Sequence, residues 1–319
     1  MEWRIPLFKT YWEEDDIESV ERIIKRGTFW SSGLELQKFE ENICKYVGSK
    51  YSLTFNSGTS ALHADLLAHN VSGGEVIVPS FTFIATVNSV QLSNAKPVFA
   101  EIEGETFGLD IEDVKKKITN KTKAIIPVHY GGCVCKEIKA LRDICNDKKI
   151  LLIEDAAESL GAKINNKMAG TFGQSAMFSF CQNKIISSGE GGVVVTDSKK
   201  IYEKLKLIRS HGRVETNNDD YFSTDKELDY IDVGYNFRMA TMNAALGISQ
   251  LKKIDRIIEM RRDKAKYYKN KLKKIDKIIT PIQSDGQKHV YQMYTIKLKN
   301  KKLRDNLQNH LRKKGIMTK

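Results

Sequence analysis

Three short stretches of this 319-residue chain carry residue types that could do chemistry together. Phe55-Asn56-Ser57-Gly58-Thr59-Ser60-Ala61-Leu62 places small residues where a strand would turn into a helix. Backbone N–H groups at the helix's positive end can then approach an anion closely. Alone, such a stretch is more often ordinary capping. Leu151-Leu152-Ile153-Glu154-Asp155 ends an apolar strand in two acids, one of which should face the site. A carboxylate held there suits a cationic partner such as a protonated ring nitrogen, and equally a strand-end cap or structural ion pair. Phe178-Ser179-Phe180-Cys181-Gln182-Asn183-Lys184 is a second strand, running into a loop that closes on Gly189-Glu190-Gly191-Gly192. Most lysines are merely solvated, but Lys184 in such a setting can form a Schiff base. An anion cradle, a strand-end carboxylate and a lysine are together the three protein groups that pyridoxal 5′-phosphate requires.

The elements that must position these groups follow from periodicity. Helical spacing recurs at Ile17, Val20, Ile24, at Leu36, Phe39, Ile43, Val47 and at Ile138, Leu141, Ile144. Between such segments lie apolar runs: Tyr51 to Phe55, Val76 to Val78, Pro97 to Ala100, Ala124 to Val128, Ile150 to Ile153, Ala176 to Phe180 and Val193 to Val195. They lack strict alternation and so read as strands covered on both faces. The fold class is α/β, a mostly parallel seven-stranded sheet covered by helices, with ligands expected at the carboxyl ends of the strands. The large domain is expected over residues 1–250 with an N-terminal helical segment, and a linking helix with a smaller α+β domain over 251–319. Lys301 to Lys314 reads as a helix with Gly315 as its cap, and Ile316 to Lys319 as the start of an element that does not develop, so the small domain is expected to be incomplete.

Composition narrows the classes. Five prolines and five cysteines exclude low-complexity disorder and a disulfide scaffold. The cysteines (Cys44, Cys133, Cys135, Cys145, Cys181) lack paired C-x-x-C spacing, so no metal site is expected. No run of some 18 apolar residues suggests a membrane span, and the expected location is the cytoplasm. The net charge of +12 is uneven: residues 252–319 hold 22 Lys/Arg against 6 Asp/Glu, whereas residues 1–251 hold 30 against 34. The excess is explained by solvated helix faces, and no specific nucleic acid is expected as a partner.

From about Ile5 to Leu251 the chain resembles the DegT/StrS-type sugar aminotransferases, pyridoxal-phosphate enzymes of the aspartate-aminotransferase fold type. The motifs are Gly27-Thr28-Phe29-Trp30-Ser31-Ser32-Gly33, Asn56-Ser57-Gly58-Thr59, Pro79-Ser80-Phe81-Thr82-Phe83-Ile84-Ala85-Thr86, Val128-His129-Tyr130-Gly131, Glu154-Asp155-Ala156-Ala157-Glu158, Ser179-Phe180, Asn183-Lys184 and Gly234-Tyr235-Asn236-Phe237-Arg238-Met239. The resemblance implies Lys184 as Schiff-base lysine, Asp155 on the pyridine nitrogen and Phe83 stacked on the ring. It further implies Gly58, Thr59 and Ser179 at the phosphate, Glu158 near the ring's 3′-oxygen, and Asn236 reaching the phosphate from the neighbouring subunit of a homodimer.

On the substrate side stand Trp30, Arg213 and Arg238, the arginines being equally explained as structural ion pairs. His129 either lines the site or caps its strand, and His289 is a further candidate. The implied reaction passes the amino group of L-glutamate to a nucleotide-linked keto-deoxysugar, with a 4-keto favoured over a 3-keto acceptor. Two other readings are a pyridoxal- or pyridoxamine-phosphate-dependent sugar dehydratase on the same scaffold, which a lysine at 184 disfavours, and a non-catalytic regulatory or nucleic-acid-binding protein.

Overall fold

The computed structural model describes residues 3–214 and 229–319. Its strands are β1 Tyr51–Phe55, β2 Glu75–Pro79, β3 Lys96–Ala100, β4 Thr122–Ile125, β5 Leu151–Asp155, β6 Lys163–Ile164, β7 Lys167–Met168, β8 Ser175–Ser179, β9 Gly192–Thr196, β10 Ile278–Ile279, β11 Gln287–Lys288 and β12 Lys297–Leu298. The helices are α1 Glu14–Arg26, α2 Leu34–Val47, α3 Gly58–Ala68, α4 Ile84–Leu92, α5 Ile111–Lys117, α6 Ile138–Lys148, α7 Lys199–Arg209, α8 Thr241–Lys252, α9 Ile254–Leu272 and α10 Lys301–Lys313.

The central sheet has seven strands in the order β1-β9-β8-β5-β4-β2-β3. Its β3-β2-β4-β5-β8 portion is parallel, and β9 runs antiparallel between β8 and β1. Since β9 opposes both neighbours, β1, β5 and β8 run the same way and end on one edge. That edge carries Phe55, Asp155 and Ser179, with Gly192 starting β9 opposite Phe55 and Ser179.

Successive strand residues feed two separate cores, which explains the continuous apolar runs. Leu152, Val193 and Val195 join Phe39, Ile43, Leu141 and Ile258 on the α2, α6 and α9 side. Ile153 and Val194 join Leu53, Ala61, Leu62 and Leu205 on the α3 and α7 side. Burial on both faces stabilises each Val, Leu or Ile side chain by about 1.5–3 kcal/mol relative to exposure.

Local signals set the element ends. α1 begins with a reciprocal capping box between Glu13 and Asp16 and ends at Gly27 in the left-handed region. Ser57 caps α3 by accepting from the Ser60 N–H at 3.1 Å. The ladder of β4 stops at Ile125, short of the expected Val128: Pro127 has no N–H to give, although its carbonyl accepts from Asp155 N, and pairing resumes only as a bridge between Val128 and Asp155. The expected helix near Lys301 forms as α10, with Gly315 at φ +72° behind it, and Ile316 bridges Ile5. Among the described residues, no helix is long and apolar enough to cross a membrane.

Candidate active site

The two acids that end β5 part company by the period-two rule of a strand. Glu154 is fully buried and accepts four hydrogen bonds, from the N–H groups of Gly170, Phe172 and Gly173 at 2.6–2.7 Å and from His129 Nε2 at 2.8 Å. His129 Nδ1 accepts from Cys135 N at 3.1 Å, so the ring proton is on Nε2 and points to Glu154. Both ring nitrogens of His129 are thus engaged inside the core, which fits the strand-capping alternative and leaves neither nitrogen for a substrate.

Asp155 emerges on the opposite face. Its Oδ2 accepts from Thr86 Oγ1 at 2.8 Å and its Oδ1 from Ala157 N at 3.2 Å. Burial raises the Asp155 pKa, while the two hydrogen bonds and the positive charge of Lys184 oppose the rise. Thr86 lies one helical turn beyond Phe83, the N-cap residue of α4, and was not singled out from the sequence, although it closes the motif that contains Phe83. Phe83 itself is 69% exposed.

Lys184 and Glu158 face each other, Nζ to Oε1 3.6 Å, with side chains 15% and 19% exposed. Glu158 Oε2 accepts from Gly131 N at 2.8 Å, which fixes its carboxylate beside the turn after Val128. At the head of α3, a Cβ on Gly58 would stand 2.9 Å from Ser179 Cβ and 3.0 Å from Ser179 Oγ. Only glycine allows the first turn of the helix and the end of β8 to approach this closely. Gly58 and Thr59 hold the first two positions of the helix, where N–H groups have no acceptor within it.

Residues 10–319 match the DegT/DnrJ/EryC1/StrS aminotransferase family over nearly the whole chain. The chain belongs to this family. GDP-perosamine synthase of Vibrio cholerae is 38% identical to it over 293 residues, which are 92% of this chain and 77% of that protein. The structure of Helicobacter pylori PseC, an aminotransferase involved in the biosynthesis of pseudoaminic acid, superposes with a TM-score of 0.89 at 30% identity, covering 99% of this chain and 83% of that one. An E. coli GDP-4-keto-6-deoxy-D-mannose-3-dehydratase with bound hydrated PLP superposes with a TM-score of 0.88 at 29% identity, covering 99% and 85%.

In this member of the aminotransferase family the remaining candidates sit at varied distances from chemistry. Asn236 is exposed, and its carbonyl accepts from Asn56 Nδ2 at 3.4 Å, two residues before Gly58. Arg238 donates to Ser210 Oγ at 3.2 Å, and Arg213 is buried and bridged to Tyr230. Trp30 spends its indole N–H on the Ile23 carbonyl at 3.2 Å and is otherwise half-exposed. His289 is buried and stacked on Tyr291 at 4.0 Å, with Nδ1 accepting from Tyr291 N, and burial pulls its pKa down to about 4. Cys133 donates its thiol to Gln287 Oε1, and all five cysteines are free.

Proposed function

We propose that this aminotransferase-family protein uses pyridoxal 5′-phosphate to move the amino group of L-glutamate onto a nucleotide-linked keto-deoxysugar, with a 4-keto acceptor favoured. The observation that carries the reading is the Lys184–Glu158 pair at 3.6 Å, beside the buried carboxylate of Asp155. The cofactor fits the donor set. The hydrogen-only contact between Gly58 and Ser179 leaves helix N–H groups and a hydroxyl together for a phosphate, and the desolvation that raises the Asp155 pKa makes a cationic ring nitrogen a favourable neighbour. When bound, pyridoxal phosphate supplies a carbonyl that takes up the amino group and a cationic ring that accepts electrons.

The chain's own residues do the rest. Nζ of Lys184 removes the proton from Cα of the amino donor, and Glu158 Oε1 stabilises the ammonium so formed. Thr86 and the Ala157 N–H hold the Asp155 carboxylate in orientation. Gly58, Thr59 and Ser179 bind the phosphate, and Phe83 offers an exposed ring face for stacking. Asn236 completes the phosphate site from the partner in a homodimer, and Trp30, Arg213, Arg238 and His289 remain the substrate-side candidates. The names of the relatives support the acceptor class: one is a GDP-perosamine synthase and another an aminotransferase involved in the biosynthesis of pseudoaminic acid. A cytoplasmic setting accords with five free thiols.

The test is the absorption spectrum of purified protein with added pyridoxal phosphate, before and after L-glutamate, for wild type and Lys184→Ala. Wild type should gain a cofactor band that glutamate bleaches, and the variant should show neither change. Steady-state transamination by Lys184→Ala would sink the assignment. Formation of dehydrated sugar without glutamate-dependent amine transfer would replace it with the dehydratase reading.

A further inference from the structure

The loop between β8 and β9 carries Lys184, and side chains from three distant parts of the chain hold its backbone. Thr10 Oγ1 donates to the Gln182 carbonyl at 3.0 Å. Asn243 Nδ2, on α8, donates to the carbonyls of Ser188 and Glu190, both at 2.8 Å. The third tie is to Asn183, the residue next to Lys184: its carbonyl accepts from Nε2 of Gln292. Gln292 is only 7% exposed, although it lies in an irregular stretch between β11 and β12.

That stretch is built to bring Gln292 inward. Tyr291 takes φ +50°, a left-handed conformation that a non-glycine residue adopts at a cost. Arg261 of α9 donates from one nitrogen to the carbonyls of Tyr291 and Gln292, at 3.2 and 3.3 Å. On the other side, Val290 N donates to Gly132 O at 2.9 Å and Met293 N to Gly131 O at 3.1 Å. Gly132 is at φ +97°, and a Cβ there would meet Gln292 N at 2.8 Å, so the approach depends on glycine. Gly131 in turn donates its N–H to Glu158 Oε2. Residues 290–293 therefore reach toward both members of the Lys184–Glu158 pair, the Gln292 side chain through Asn183 and the Met293 backbone through Gly131.

We propose that Gln292 is a positioning residue, which sets the separation of Lys184 Nζ and Glu158 Oε1 by holding the Asn183 carbonyl from the same backbone that holds Gly131. The proposal rests on the reading of Lys184 as the reactive amine. The requirement is an N–H donor at position 292, since the group it meets is a carbonyl and a second acceptor there would repel it. Without the donor, the turn at Asn183 loosens and the Lys184 amine opens to solvent.

The experiment uses the full chain free of cofactor. Acylation of Lys184 by a water-soluble amine reagent is followed by peptide mass spectrometry and expressed relative to Lys25, which is 72% exposed in the same molecule. Gln292→Leu keeps bulk and removes the donor, so the ratio should rise about fivefold, the population change that accompanies loss of one hydrogen bond. Gln292→His, which retains an N–H, should return the ratio toward wild type. Should Gln292→Leu fail to fold, Gln292→Glu preserves the shape, offers no N–H when ionised, and should give the same rise. An unchanged ratio in the donor-free variant, or an equal rise in the histidine variant, would overturn the proposal. Because no cofactor is present, the ratio decides on Gln292 even if wild-type protein takes up no pyridoxal phosphate, a result that would count against the functional reading alone.

Discussion

Glu154 and Asp155 leave β5 on opposite faces and meet different electrostatic conditions. Glu154 has four hydrogen-bond donors around it and ties His129 to the Gly170–Gly173 turn, so its work is structural. Glu154→Gln turns one oxygen into an N–H that faces other N–H groups, and we expect a loss of about 3 kcal/mol in urea unfolding. Asp155→Asn preserves the Thr86 contact and removes the charge. It should keep cofactor binding and slow the glutamate half-reaction by about 100-fold or more in stopped-flow absorbance.

His289 has a pH signature. Its folded pKa, about 4, lies below the unfolded value of 6.5, so the unfolded chain binds the extra proton between those values. Stability that His289 leaves intact above pH 6.5 is lost progressively as pH falls toward 4, by about 3 kcal/mol. Chemical denaturation of wild type and His289→Gln across this window should show a shallower acid loss in the variant. At this scale the strand that ends in two acids was legible in the sequence. The sequence did not reveal that His129 serves Glu154, because that contact joins residues 25 positions apart and depends on which face each leaves.

At the scale of elements, the proposed phosphate cradle is a contact between a helix start and a strand end. Gly58→Ala would push a methyl group against Ser179 and part α3 from β8, at a cost of about 1–3 kcal/mol. We expect cofactor affinity to fall at least about tenfold, in line with the same strain, while unfolding stays cooperative. Titration of the cofactor band, set against the thermal midpoint, measures both. The long inner strands such as β5, β8 and β9 were legible because burial on two faces writes a continuous apolar run into each. The two-residue strands β6, β7, β10, β11 and β12 were not, since a pair of residues has no periodicity to read. Gln292 escaped notice for a related reason: its neighbours Val290 and Met293 look like strand residues, while its role follows from the bend at Tyr291.

For the whole molecule, charge and site are carried by different regions. The 22 Lys/Arg of residues 252–319 run from the last residue of α8 through α9 and α10 to Lys319, whereas Gly58, Asp155, Ser179 and Lys184 belong to the net acidic first 251 residues. Binding to a heparin column should therefore weaken steeply with added salt, and retention of the cofactor should hardly change over the same range. Displacement of cofactor by the polyanion would contradict this separation.

The ties on the Lys184 loop also bear on the order in which a ribosome makes the chain. Asn183 and Gln292 are 109 residues apart. The strands of the central sheet, all within residues 51–196, can pair while later segments are still being translated. The lysine thus emerges early, but the amide that holds its loop arrives only after residue 292 has been made. A nascent chain released before then would carry Lys184 without the side chain that holds its loop.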